Sequence, residues 1–118
     1  FTVTQGLVEA ARDVVLSVSI ETYHNDRNNS ELKFGVYEYN GKDELIGRVS
    51  SWVYPEGANS NNKVEKKQNY TTAFTYTLQS EKLTTGNYYR IVGNADINRD
   101  GHNHEVLAAT SFMRADFA

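Results

Sequence analysis

Between Asp96 and Glu105 the chain reads Asp-Ile-Asn-Arg-Asp-Gly-His-Asn-His-Glu, its most oxygen-rich run. Asp96, Asn98 and Asp100 fall at every second position, so three side-chain oxygens can converge, and Gly101 follows where the backbone has to turn sharply. Hard cations that prefer oxygen, calcium first among them, are wrapped in this way. His102, His104 and Glu105 add imidazole and carboxylate donors, a combination suited to zinc or copper. A third reading needs no ion, because Asp-Gly is a common hairpin turn and polar loops are rich in Asp and Asn for backbone reasons of their own.

The opening of this run resembles the calcium loop of the EF-hand and dockerin type. That resemblance implies Asp96, Asn98 and Asp100 as side-chain ligands and the carbonyl of His102, at the seventh position, as a backbone ligand. At the twelfth position, where such loops carry a bidentate glutamate, this chain has Leu107. The run is also similar to the shorter calcium loops of integrin-type propeller hairpins, which want a carboxylate at the ninth position; His104 stands there, with Glu105 beside it. The candidate metal set is therefore Asp96, Asn98, Asp100, His102 and Glu105, with calcium as the expected cofactor.

A second chemistry lies in aromatic rings. Tyr37, Tyr39, Trp52 and Tyr54 flank an Asn40-Gly41 hairpin signal on neighbouring strand candidates. Sharing a solvated face, they would make a flat platform on which sugar rings stack; buried singly, they would only be packing. Small sandwiches with such a platform and a structural calcium resemble carbohydrate-binding modules, which implies a glycan ligand. The other expected partner is a cell-surface protein, with the chain as a structural or adhesive module.

The elements that must hold these residues are strands. From Asp13 to Glu21, Val14, Leu16, Val18 and Ile20 share one face with Ser17, Ser19 and Glu21 on the other, and Leu32, Phe34 and Val36 face inward on a strand to Tyr39, leaving Tyr37 and Tyr39 outward. A partner strand from about Glu44 to Val49, continuing to Tyr54, ends at Pro55. Residues 22–30 and 56–68 have no periodicity and read as loops. Thr72, Phe74, Tyr76 and Leu78 share one face of a later strand, 88–94 is the penultimate strand, and 105–117 the last, with Val106, Ala108, Thr110 and Phe112 on one face. Thr2 to Thr4 reads as an edge strand, and Leu7 to Arg12 as a helical turn or loose strand. The order Leu83, Gly86, Tyr88 resembles the tyrosine corner of immunoglobulin-like sandwiches, which implies a Tyr88 hydroxyl bonded to an upstream backbone group.

About seven such strands predict an all-β fold, a single antiparallel sandwich of immunoglobulin-like or jelly-roll type spanning residues 1–118, with a small barrel as the alternative. A chain of 118 residues is one domain by length and can bury a core without staples. With no cysteine there is no disulfide, thiolate zinc site or cysteine nucleophile. A net charge of −3 and scattered basic residues set nucleic-acid binding aside, and no apolar run approaches the roughly 20 residues of a membrane span. The start at Phe1 suggests that a leader has been removed, and together with the Asn- and Thr-rich loops it points to an extracellular or cell-surface location. His24, His102 and His104 lie in loops that need not meet, and no nucleophile motif occurs, so an enzyme is not the expectation. A metal-dependent hydrolase built on His102, His104 and Glu105 is the remaining catalytic alternative.

Overall fold

A computed structural model describes residues 1–24, 30–58, 63–65, 67–96, 103–106 and 111–118; at His24, Ser30, Asp96, 103–106, Ser111 and Phe112 only the backbone is described. A short helix α1 (Gln5–Ala10) precedes strands β1 (Val14–His24), β2 (Ser30–Tyr39), β3 (Leu45–Arg48), β4 (Lys63–Val64) and β5 (Gln68–Leu78). A 3-10 turn at Ser80–Lys82 leads to β6 (Tyr88–Asp96), β7 (Asn103–Val106) and β8 (Ser111–Phe117). The chain folds as two antiparallel sheets packed face to face, a sandwich and not a barrel. One sheet runs β5-β1-β8; the other runs β3-β2-β6-β7, with β4 also on β2.

Alternation builds the interior. Val14, Leu16, Val18 and Ile20 of β1 are all buried, as are Leu32, Phe34 and Val36 of β2 and Tyr70, Thr72 and Leu78 of β5. They fill two clusters. One joins Val14, Leu16, Val36, Leu78, Leu83 and Tyr89; the other joins Val18, Ile20, Leu32, Phe34, Val64, Tyr70 and Ala95. Phe74 and Met113 pack against both, so residues from both sheets interdigitate into one continuous apolar layer.

Several boundaries differ from the sequence expectation. Thr2 makes a single bridge to Tyr88, and Thr4 caps α1, its hydroxyl accepting the Leu7 N–H at 3.3 Å. The 22–30 loop is shorter than its polarity implies, since β1 continues to His24 and β2 begins at Ser30. Within the 56–68 stretch, β4 pairs with β2 and Val64 is fully buried, although a two-residue strand leaves no periodicity to read. The last strand is two strands: β7 pairs with β6, and β8 crosses to the other sheet to pair with β1. Of the inward set expected there, the side chains of Val106 and Phe112, and Ala108 and Thr110 altogether, lie outside the described residues.

Candidate functional site

The two core clusters take the even-numbered residues of β2, so Lys33, Gly35, Tyr37 and Tyr39 face away from the interior. Register supplies their neighbours. Tyr37 lies directly opposite Arg48 of β3 on one side and Arg90 of β6 on the other, while Tyr39 lies opposite Tyr88. The Tyr39 and Tyr88 rings stack at 5.0 Å and 8°. Tyr37 meets Trp52 at 6.3 Å in a tilted arrangement.

Trp52 reaches this outer face because β2 has a glycine there. A Cβ at Gly35 would lie 2.9 Å from Arg48 Cδ and 3.4 Å from Trp52 Cε3, so only glycine lets the indole and the arginine stem lie close against the sheet. Cations surround the ring: the Arg48 guanidinium sits 4.3 Å and the Lys33 ammonium 4.7 Å from its centroid. Arg48 Nη1 also donates to the Ser50 carbonyl at 2.8 Å, and Lys33 pairs with Glu31 at 3.2 Å. Arg90 lies 5.5 Å from the Tyr39 ring. Trp52, Tyr37, Tyr39 and Tyr88 are all half-buried, and Arg48 and Arg90 are exposed. Tyr54 is half-buried too but makes no ring contact with the others.

Three of the four expected platform residues thus come together, and Tyr88, Arg48, Arg90 and Lys33 join them. The hairpin explains why the arginines were not legible. A two-residue Asn40-Gly41 turn would set Tyr39 opposite Lys42 and Tyr37 opposite Glu44. Instead the turn is longer: Asn40 Oδ1 accepts the N–H groups of Lys42 and Glu44 at 2.9 and 3.0 Å, and positive φ falls on Asp43 (63°). With a register shift between Glu38 and Tyr39 as well, Tyr37 finds Arg48. Tyr88 joins only through β2–β6 pairing, which is non-local and carries no signal in the chain.

Tyr88 does not make the backbone tie that the corner pattern implies. Its hydroxyl donates to Asp43 Oδ1 at 2.8 Å, and this bond holds its pKa above the ordinary tyrosine range. Tyr70 does secure upstream backbone, its hydroxyl accepting the Glu65 N–H at 2.8 Å.

Of the candidate metal set, Asn98, Asp100 and His102 lie outside the described residues, as do the side chains of Asp96 and Glu105; His104, of the hydrolase alternative, is described in its backbone alone. β6 and β7 pair antiparallel, with Asp96 opposite Asn103 and Asn94 opposite Glu105, so the 97–102 connection starts and ends on adjacent paired strands. Among the described residues no three His, Asp or Glu side chains converge on a point, and no helix is long and apolar enough to cross a membrane.

A separate polar cluster sits at the mouth of the sandwich. Glu38 points inward, and its Oε2 accepts from both Asn87 Nδ2 and the Tyr89 hydroxyl at 3.0 Å. The adjoining cleft, about 270 Å³, is lined by Glu38, Tyr76, Lys82 and Tyr89 among others. No protein-family model, curated protein or solved structure matches this chain.

Proposed function

We propose that the chain is a non-catalytic binding module of an extracellular or cell-surface protein, which takes a glycan on the outer face of β3-β2-β6. The observation that carries this reading is the gathering of Trp52, Tyr37, Tyr39 and Tyr88 on one accessible face, apart from both core clusters. Aromatic rings in that position do not hold the sheets together, and their apolar faces suit the C–H side of a sugar ring. Strand order adds support for an immunoglobulin-like module over a jelly roll: β1 and β5 share one sheet, and β2, β6 and β7 share the other, with β3 beside β2. In the same reading a calcium ion held by Asp96, Asn98, Asp100 and the His102 carbonyl stiffens the β6–β7 hairpin.

Because Trp52 lies outside the interior, Trp52→Ala is expected to remain folded and to lose retention on immobilised glycans. A folded variant with unaltered retention rules the platform out. One observation favours a purely structural module instead: Arg48 and Lys33 already crowd the indole. In that case a glycan array returns no hits for the unaltered protein.

A further inference from the structure

We infer that this face selects acidic glycans, with Arg48 and Arg90 as an anion-binding pair on either side of Tyr37; this rests on the glycan-binding reading and names its ligand class. The three residues form one row across three strands, each arginine directly opposite the tyrosine. Two interstrand spacings put the arginine backbones roughly 10 Å apart, a span over which one oligosaccharide presents more than one charged ring.

Charge on the face is unevenly answered. Lys33 is paired with Glu31, Asp43 is taken by the Tyr88 hydroxyl, and Glu38 points inward to Asn87 and Tyr89. Arg90 makes no hydrogen bond or ion pair with any described residue, and Arg48 is bonded only to a neutral carbonyl. Among the described residues, two guanidinium charges are therefore left for a ligand. Both are held against rings, Arg48 over Trp52 at 4.3 Å and Arg90 beside Tyr39 at 5.5 Å. A ring contact does not consume guanidinium N–H groups, so those of Arg90 and the ones Arg48 does not give to the Ser50 carbonyl can meet a carboxylate or sulfate.

The same contacts disfavour a neutral sugar. It would meet an indole with two cations within 5 Å of its centroid and would have to displace their hydration without replacing it. An acidic sugar replaces that water with an ion pair and lays its apolar side on Tyr37 or Tyr39. The chain carries a single tryptophan, so its fluorescence reports binding at this face directly.

The test titrates the protein with an oligogalacturonate, a sulfated oligosaccharide, a neutral cello-oligosaccharide of equal length and polyglutamate, following Trp52 emission and heat. Binding of either acidic sugar in preference to the other two is expected. Raising salt from about 0.1 M to about 1 M should weaken it. Arg90→Gln, an exposed change that leaves the melting temperature unaltered, should weaken it by about ten-fold or more, as loss of a charged hydrogen bond does. Neutral sugar bound as tightly as acidic sugar, with no effect of Arg90→Gln, overturns the selectivity and leaves the glycan reading standing. Polyglutamate bound as tightly as oligogalacturonate shows a general anion site and overturns the ligand class. No binding of any sugar removes both readings.

Discussion

Two interior residues show how far a single side chain departs from what its neighbours do. Thr72 alternates correctly into the core, opposite Ile20, and is 1% exposed, yet its hydroxyl has no hydrogen-bond partner. Removing an unsatisfied buried hydroxyl while keeping the shape is favourable by about 1 kcal/mol. Thr72→Val should thus raise the melting temperature by several degrees, and calorimetry showing a lower value would mean that the hydroxyl is bonded after all. Tyr89 is the opposite case. Burial, then the bond to Glu38, pushes its hydroxyl well above the ordinary value. A raised folded pKa means a contribution that is complete below about pH 10, where the unfolded tyrosine ionises, and that is lost as pH climbs toward the folded value. Tyr89→Phe should cost about 1–3 kcal/mol at neutral pH and should remove part of the alkaline fall in the urea midpoint; an identical alkaline profile would separate Tyr89 from that fall. The alternation of Thr72 was readable from sequence, but neither the orphan hydroxyl nor the Tyr89–Glu38–Asn87 cluster was, because both depend on partners distant in the chain.

At the scale of elements, periodicity made the long strands legible and failed where strands are short or turns irregular. β1, β2 and β5 alternate over ten or eleven residues each, and their faces follow directly. β4 spans two residues, and its pairing with β2 brings Val64 into the cluster of Val18, Ile20, Phe34 and Tyr70. The turn after Tyr39 shows the limit of dipeptide rules: Asn40 uses its side chain to build a wider Asx turn, and the register shift decides which cations meet Trp52. The β6–β7 hairpin is the element on which the calcium proposal stands. If its connection binds the ion, saturation to about 100 times the dissociation constant adds roughly 2.7 kcal/mol and should raise the melting temperature by about 10 °C for a domain this size. Asp96→Ala or Asp100→Ala should abolish the shift. A scan unchanged by calcium in the unaltered protein excludes the site.

For the molecule as a whole, the layered β architecture was legible because composition and alternation agree, while the sheet each strand joins was not. The alternation from Val106 to Phe112 reads as part of a single strand 105–117, yet the chain leaves one sheet after Val106 and enters the other at Ser111. The one local sign is a change of phase, with Met113 and Ala115 and not Arg114 packed on the core; the sheet that β8 joins follows from β1 having an open side that β8 alone covers among the described strands. The placement of β8 also governs how the protein can be made. During synthesis β1 emerges well before its partners β5 and β8, which begin at residues 68 and 111. Such long loops must close before their contacts repay the entropy, a topology that folds in milliseconds to seconds and not microseconds. Until then an apolar strand with both edges bare has to be kept from its neighbours, so the three-stranded sheet stays incomplete until β8 has emerged.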